Sequence, residues 1–258
     1  MQDCVPAVAF QGLDAGVPVT RTVTFVVPAF NEQENIADTV VEIEAAACGL
    51  DDYEIVIVND CSTDGTAEVI EKLAQTNGRI RTVHNARNLG LGGAYKAGAA
   101  RATMAYVIMI PGDNNHPANG IIPVLESLGV ADIVIPYVTN PQVRQLHRRI
   151  ISDAFRRVLN FLFRLKVPYY NGLVVHRTEL LRTITIETDS FAYQAEALVK
   201  LLRMGASSVA VPLEVSERGD HRTRAFKPKN IYAVCLTIWR LSRTKVVRSP
   251  SLVVRDQQ

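Results

Sequence analysis

Three short apolar runs, each closed by a knot of polar residues, restrict the fold of this chain more than any other feature. They are Thr22-Val-Thr-Phe-Val-Val-Pro28, Asp52-Tyr-Glu-Ile-Val-Ile-Val-Asn-Asp60 and Ala105-Tyr-Val-Ile-Met-Ile-Pro111. They are too short for lone helices and read as strands, the last one buried on both faces of a sheet. Between and after them lie helical stretches: Ile36, Val40 and Ile43 mark a buried stripe, and further helices are expected to about Gln75, over Ala94–Thr103 and over Ala118–Leu128. Asn31 with Glu34 forms a capping pair for the first helix. Arg79–His84 and Ala131–Pro136 complete the strands of this half, and Gly172–His176 and Ser208–Val211 are shorter ones. The alternation predicts an α/β, Rossmann-like doubly wound, mostly parallel sheet flanked by helices.

At 258 residues, with 48% hydrophobic and 21% charged residues, the chain can bury a full core. Residues 1–20 read as a loose N-terminal segment, 21–225 as one domain, and 226–258 as a basic amphipathic C-terminal segment. No secretory signal and no apolar run long enough to span a bilayer is evident. Four scattered cysteines, Cys4, Cys48, Cys61 and Cys235, suit reduced thiols in a cytoplasmic protein. The net charge of +2 conceals a split. Residues 143–166 carry seven bases against one acid and residues 218–248 nine against one, leaving 12 bases and 24 acids elsewhere. Two basic patches on an acidic chain suit substrate phosphates or an anionic lipid surface. They lack an aromatic recognition motif, so nucleic acid is not an expected partner.

In an open parallel sheet, ligands sit beyond the carboxyl ends of the strands. There Asp113, Asn114, Asn115 and His116 follow Pro111-Gly112, where they either form a plain polar turn or hold a divalent cation and its phosphate. The segments Pro28-Ala-Phe-Asn-Glu32, Val58-Asn-Asp-Cys-Ser-Thr-Asp-Gly-Thr66, Asn88-Leu-Gly-Leu-Gly-Gly-Ala-Tyr-Lys-Ala-Gly98 and Pro111-Gly-Asp-Asn-Asn-His-Pro117 occur in that order. Together they resemble the nucleotide-binding half of glycosyltransferase family 2, with its GT-A fold, and within it the polyprenyl-phosphate (dolichol-phosphate) sugar synthases. The likeness covers roughly residues 22–225.

The resemblance implies that Asp60 contacts the base of a UDP-, GDP- or other nucleotide sugar; capping the helix after Ser62 is the alternative. Glu32 matches a residue near base or ribose, or is a favourable charge in a helix's first turn. Pro28 and Ala29 approach the nucleotide through their backbone, and Gly112 and Asp113 face the nucleotide sugar. Lys96, with Arg87, lies on the nucleotide side or packs a helix. The family's Asp-x-Asp becomes Pro111-Gly-Asp113, so Asp113 with Asn115 carries a weakened Mg²⁺ or Mn²⁺ site, or the enzyme is metal-independent. Glu196 matches a carboxylate near the donor sugar and is the candidate base should the acceptor be a hydroxyl; an ion pair is its alternative. Arg218, Thr223 and Arg224 match a cationic loop that closes on the diphosphate, while Tyr169-Tyr-Asn-Gly-Leu173 departs from the family pattern.

On the acceptor side, Ile151, Phe155, Val158, Leu162 and Leu165 share one helical face, opposite Arg149, Asp153, Arg156, Arg157, Asn160 and Arg164. Such a helix either lies in a membrane interface or packs on the sheet. Ile231–Leu241, with Trp239, suits a second interfacial helix. Arg148 or Arg149 would hold an acceptor phosphate. The function implied is transfer of a hexose, with inversion, to polyprenyl phosphate by a cytoplasmic, peripherally membrane-associated enzyme, with room for a membrane-protein partner. The alternatives are a soluble hydroxyl acceptor on the same fold and a non-catalytic nucleotide-sugar-binding relative.

Overall fold

The structure, a computed structural model, describes residues 20–143, 145–214 and 228–243. In chain order the first half contains β1 (Thr22–Ala29), α1 (Ile36–Ala46), β2 (Asp52–Asn59), α2 (Thr66–Thr76), β3 (Ile80–His84), α3 (Gly90–Ala99), β4 (Tyr106–Met109) and α4 (Ala118–Glu126). The second half contains β5 (Ile133–Val138), α5 (Leu146–Phe163), β6 (Val175–Arg177), α6 (Thr178–Leu181), α7 (Tyr193–Arg203), β7 (Ser208–Leu213) and α8 (Pro228–Arg243).

The strands form one seven-stranded sheet in the order β3-β2-β1-β4-β6-β5-β7. Central β1 pairs in parallel with β2 and β4. Among the described strands only β6 is reversed, antiparallel to both β4 and β5. Successive side chains on a strand point to opposite faces, and the chain uses both. Phe25, Val27, Ile55 and Ile57 pack with α1, α2 and α4, whereas Val26, Val56, Val58 and Val107 pack with α3, α5 and α7. Burial on both faces explains why these strands are continuously apolar instead of alternating. The parallel strands therefore present their carboxyl ends along one edge.

Local boundaries differ where long-range contacts decide them. The helix α1 begins at Ile36, with Asn35 at its N-cap, so the Asn31–Glu34 capping pair does not form. Asn31 instead adopts a left-handed φ of 59° and reaches across to the loop after β2. The helix α3 begins at Gly90, inside the stretch expected to be a connection, because it is capped from the tip of β2. Cys48 is disulfide-bonded, which overturns the expectation of reduced thiols there; Cys61 and Cys235 are free and exposed, and Cys4 lies outside the described residues. The C-terminal helix α8 is not detached, since Thr237 and Leu241 are buried where it meets α5 and α7. The proposed boundary near residue 225 falls outside the described residues.

His176 in β6 is buried between Val107 and Ile133, and neither ring nitrogen has a hydrogen-bond partner. Burial holds its pKa down to about 4, against 6.5 for the free group. The unfolded chain therefore binds a proton between those values that the folded chain refuses. Stability contributed by the neutral ring is full above pH 6.5 and is lost as pH falls towards 4. Denaturant titrations at neutral pH and near pH 4.5 should show a His176→Leu variant losing about 2 kcal/mol less than the unmodified chain. Equal losses would mean that the ring is not held neutral.

Candidate active site

The tips of β1, β2 and β4 are fastened to one another by their backbones. Asp60 N donates to Ala29 O (2.9 Å) and Gly112 N donates to Pro28 O (3.1 Å). The buried residues Pro28 and Ala29 thus sit between Asp60 and Gly112, with their carbonyls engaged in this pairing. Strands lie about 4.8 Å apart, so the β2 and β4 tips are separated by roughly 10 Å, a span one nucleotide diphosphate can bridge. A Cβ at Gly112 would be crowded, standing 3.0 Å from Ile36 Cδ1 and 3.2 Å from Pro28 O. Just beyond each tip the chain turns through a left-handed residue: Asn31, Cys61 and Asn114 have φ of 59°, 62° and 52°. Asn tolerates that region through local hydrogen bonding, whereas a cysteine has no such compensation.

Side chains stitch the loops after β1 and β2 together. Asn31 Oδ1 accepts from Thr63 N (2.8 Å), Asn31 N donates to Ser62 Oγ (3.0 Å), and Gln33 Oε1 accepts from Gly65 N (2.7 Å). Glu32 N donates to Thr66 Oγ1 (2.9 Å), which in turn donates to Asp64. Burial works against ionisation of Asp64, but bonds from Thr66 and Gln33 outweigh it and hold the carboxyl below its usual range. The carboxylate of Glu32, half-buried, accepts from Asn35 Nδ2 (2.8 Å) just ahead of α1.

Asp60 is 3% exposed. Its Oδ1 accepts from Asn85 Nδ2 (2.7 Å) and Leu89 N (2.9 Å), and Oδ2 accepts from Gly90 N (2.9 Å). It therefore caps a helix, but α3 and not the helix after Ser62. A carboxylate at a helix N-terminus satisfies orphan donors and complements the dipole. The glycine-rich stretch owes its composition to packing as well. Gly92 N donates to Asp189 O (3.0 Å), and a Cβ there would lie 2.7 Å from Ser190 O. Lys96 is drawn to the same segment, pairing with Asp189 (2.6 Å) and donating to Ile186 O (3.2 Å). Packing is thus the role the structure gives Lys96, while Arg87 is exposed beside the Asp60 loop.

At the β4 tip, Asp113 Oδ1 accepts from Asn115 N (3.3 Å), and Asn114 N donates to Thr39 Oγ1 (3.1 Å). The side-chain oxygen of Asn114 is buried with no hydrogen-bond partner. Among the described residues no three His, Cys, Asp or Glu side chains are grouped to hold a metal. One carboxylate and two amide oxygens, that of Asn114 without a partner, fit a hard cation that keeps water and phosphate oxygens as its remaining ligands. They do not by themselves form a complete protein cage.

Beyond Asn115 lies a cleft of about 590 Å³, walled by the β4–α4 turn, the ends of β5 and β7, and residues 169–173. Neither Arg148 nor Arg149 lines it; both are on α5, where Arg149 is exposed and Arg148 half-buried. The apolar face of α5, for which both a membrane interface and packing on the sheet were open, is largely exposed. Ile151, Val158 and Leu162 are exposed, as are Leu146, Ile150 and Phe161 (84%), while Leu159 and Phe163 pack inward.

Glu196 is buried in an ion pair at the start of α7. It is 2% exposed and accepts from Lys200 Nζ (2.6 Å), Glu187 N (2.9 Å) and Thr188 N (3.0 Å). The ion pair given as its alternative is present, with both carboxylate oxygens engaged. Arg218, Thr223 and Arg224 lie outside the described residues. Sequence reasoning missed Asn85, Asp64 and the 186–190 segment. For Asn85, a run of asparagines ahead of Gly90 was the available signal.

The fold is similar to that of glucosyl-3-phosphoglycerate synthase from Mycobacterium tuberculosis, solved with Mn²⁺, UDP and glucosyl-3-phosphoglycerate. The TM-score is 0.63 over 86% of this chain and 80% of that one, at 21% identity. The fold is that of a GT-A glycosyltransferase. Residues 24–184 match the family described as Glycosyl transferase family 2, and the chain belongs to that family. It is similar to an undecaprenyl-phosphate mannosyltransferase of Micrococcus luteus, 25% identical over 75% of this chain and 83% of the relative. It is also similar to a polyprenol monophosphomannose synthase of Mycolicibacterium smegmatis, 26% identical over 78% of this chain and 79% of the relative.

The ion pair of Glu196 has a measurable consequence. Glu196→Ala removes the nearer of the two carboxylates paired with Lys200, leaving Glu187 (3.3 Å), and takes the acceptor from the amides of Glu187 and Thr188; it should cost about 2–3 kcal/mol. Replacing the pair together, Glu196→Leu with Lys200→Met, should recover part of that loss in thermal melts. A Glu196→Ala protein with unchanged melting but no turnover would restore the catalytic assignment.

Proposed function

We propose that this chain transfers a hexosyl unit from a nucleotide diphosphate sugar to polyprenyl phosphate, with inversion at the anomeric carbon. The observation that carries the reading is the convergence of the β1, β2 and β4 tips, which brings Glu32, the Asp60 loop and Asp113 to one edge. The names of the similar mannosyltransferases supply the acceptor class. In this reading the base lies over the β1 and β2 loops, where Asp60 shapes the Leu89–Gly90 turn and Glu32 offers an acceptor. The diphosphate points to the β4 tip. Asp113 and Asn115, with the orphaned oxygen of Asn114, would hold a Mg²⁺ or Mn²⁺ ion, and such an ion supplies positive charge against the leaving diphosphate.

A phosphate monoester is already ionised near neutral pH and attacks without a strong general base, which accords with a Glu196 locked in its ion pair. Its oxygen bonds to the anomeric carbon as the bond to the diphosphate breaks on the opposite face. The open apolar side of α5, flanked by Arg149 and Arg157, supports peripheral contact with an anionic bilayer. Among the described residues no helix is long and apolar enough to cross a membrane.

The test is a screen of UDP- and GDP-hexoses with polyprenyl phosphate and Mn²⁺, reading released nucleotide and lipid-linked product. Lipid-linked hexose is expected; transfer only to a hydroxyl acceptor, or nucleotide binding without any transfer, would overturn the reading. Asp113→Ala should abolish turnover while leaving the fold intact, and Pro111→Asp should tighten Mn²⁺ binding in a titration. Unchanged values in both would remove the cation from the β4 tip. On flotation with anionic liposomes at low salt the chain should rise with the lipid, and Phe161→Asp with Ile150→Asp should leave it in the aqueous layer. Equal recovery of variant and unmodified chain would remove α5 as the contact.

A further inference from the structure

A line of side-chain bonds runs from α2 across the sheet edge to the loop after β2. His84, at the end of β3, is the register partner of Asn59 on β2. Its Nε2 meets Glu71 Oε1 of α2 (2.9 Å), and its Nδ1 meets Asn59 Nδ2 (3.1 Å). Asn59 is buried, and its Oδ1 accepts from Ser62 N (3.0 Å). Ser62 is in turn fastened to the loop after β1, since its Oγ accepts from Asn31 N.

These bonds fix where the protons are. A backbone N–H can only donate, so the Asn59 oxygen faces Ser62 and its NH₂ group faces His84. Because that NH₂ donates, Nδ1 of His84 must accept, and the one ring proton is on Nε2, donated to Glu71. Bonds from His84 and then Thr82 hold the Glu71 carboxyl below its usual range. Among the described residues Glu71 is the charged partner of the ring. The neighbouring Asp60 directs its carboxylate to Asn85 and the start of α3. Histidine gains its second proton between about pH 5 and 8, and the His84 side chain, 40% exposed, exchanges protons with solvent. An imidazolium donates at both nitrogens, so Nδ1–H would point at the Asn59 NH₂, donor against donor. Glu71 favours the charged ring and Asn59 opposes it. Turning the Asn59 amide over satisfies the imidazolium but leaves Ser62 N without an acceptor.

We propose that Asn59 and His84 are positioning residues for the nucleotide, holding the Ser62 loop in its binding shape while the imidazole is uncharged and releasing it when the ring is charged. The proposal rests on the reading that the base lies over the β1 and β2 loops. The sign follows by linkage. A loop that is competent only with the neutral ring binds one proton fewer, so nucleotide affinity rises with pH and falls as the ring becomes charged.

The full-length chain is titrated calorimetrically with UDP-glucose and with GDP-mannose in Mg²⁺ from about pH 5.5 to 8; the diphosphate of a nucleotide sugar is a diester whose charge is constant over that range. Affinity should fall about tenfold towards the acid end. His84→Gln presents an acceptor to Asn59 and a donor to Glu71 at every pH, and should flatten the profile. Asn59→Asp has two oxygens, one to accept from Ser62 N and one from the charged ring, and should flatten or reverse it. His116 and His176 are unaltered in all three proteins, so the difference between profiles isolates His84. No slope in the unmodified chain, or the same slope in both variants, overturns the proposal. The brace is also read without nucleotide by NMR: the Ser62 amide proton should move upfield, as a lost hydrogen bond requires, with the midpoint of the His84 ring signal. A Ser62 signal that stays still while the ring titrates overturns the proposal. If neither nucleotide sugar binds the unmodified chain at any pH, the transferase reading fails and the Ser62 signal alone decides the brace, which keeps the two outcomes distinct.

Discussion

A single buried carboxylate ties the nucleotide side of this molecule together. Asp60 leaves β2 with its amide bonded to β1 and its side chain bonded to the start of α3 and to Asn85. Removing so enclosed an acceptor would leave three donors without partners away from water, at a cost of about 1–3 kcal/mol for each one left unsatisfied. The glycine-rich turn that flanks the crevice is therefore shaped by a residue at the β2 tip, and two elements are linked through one side chain.

The same economy recurs along the sheet edge. The final carbonyls of β1 hold the tips of β2 and β4, and the loops after β1 and β2 exchange bonds through Asn31, Gln33, Asp64 and Thr66. Loops that carry function are usually the mobile part of a scaffold; here they are cross-braced before any ligand arrives. Preorganisation of this kind lowers the ordering cost of binding a long, flexible nucleotide sugar. By contrast, the β4 tip keeps an unsatisfied oxygen on Asn114 beside the single carboxylate of Asp113.

The architecture was legible in the sequence because strands buried on both faces must be apolar throughout, and because polar knots can only follow them at a sheet edge. Boundaries were less legible wherever a partner distant in sequence decides them. Nothing local to Gly90 announces a helix start, since its cap comes from Asp60; nothing near Asn31 shows that its oxygen is taken by Thr63. Glu196 illustrates the reverse case. A motif position suggested chemistry, yet Lys200 four residues on was in view, and that spacing places the two on one helical face. The amphipathic pattern of α5 left a membrane-facing and a core-packed stripe both open, because the choice depends on packing that periodicity does not contain; Ile151, Val158 and Leu162 are exposed.

The convergence of strand tips on a single bound nucleotide can be measured directly by paramagnetic broadening. With UDP or GDP saturating and Mn²⁺ added in small amounts, the amide signals of Asn115 and of the Leu89–Gly90 turn should fade together, those of α5 remaining sharp. Broadening confined to one tip, or strongest on α5, would show that no one nucleotide–metal complex spans the crevice and would contradict the site described above.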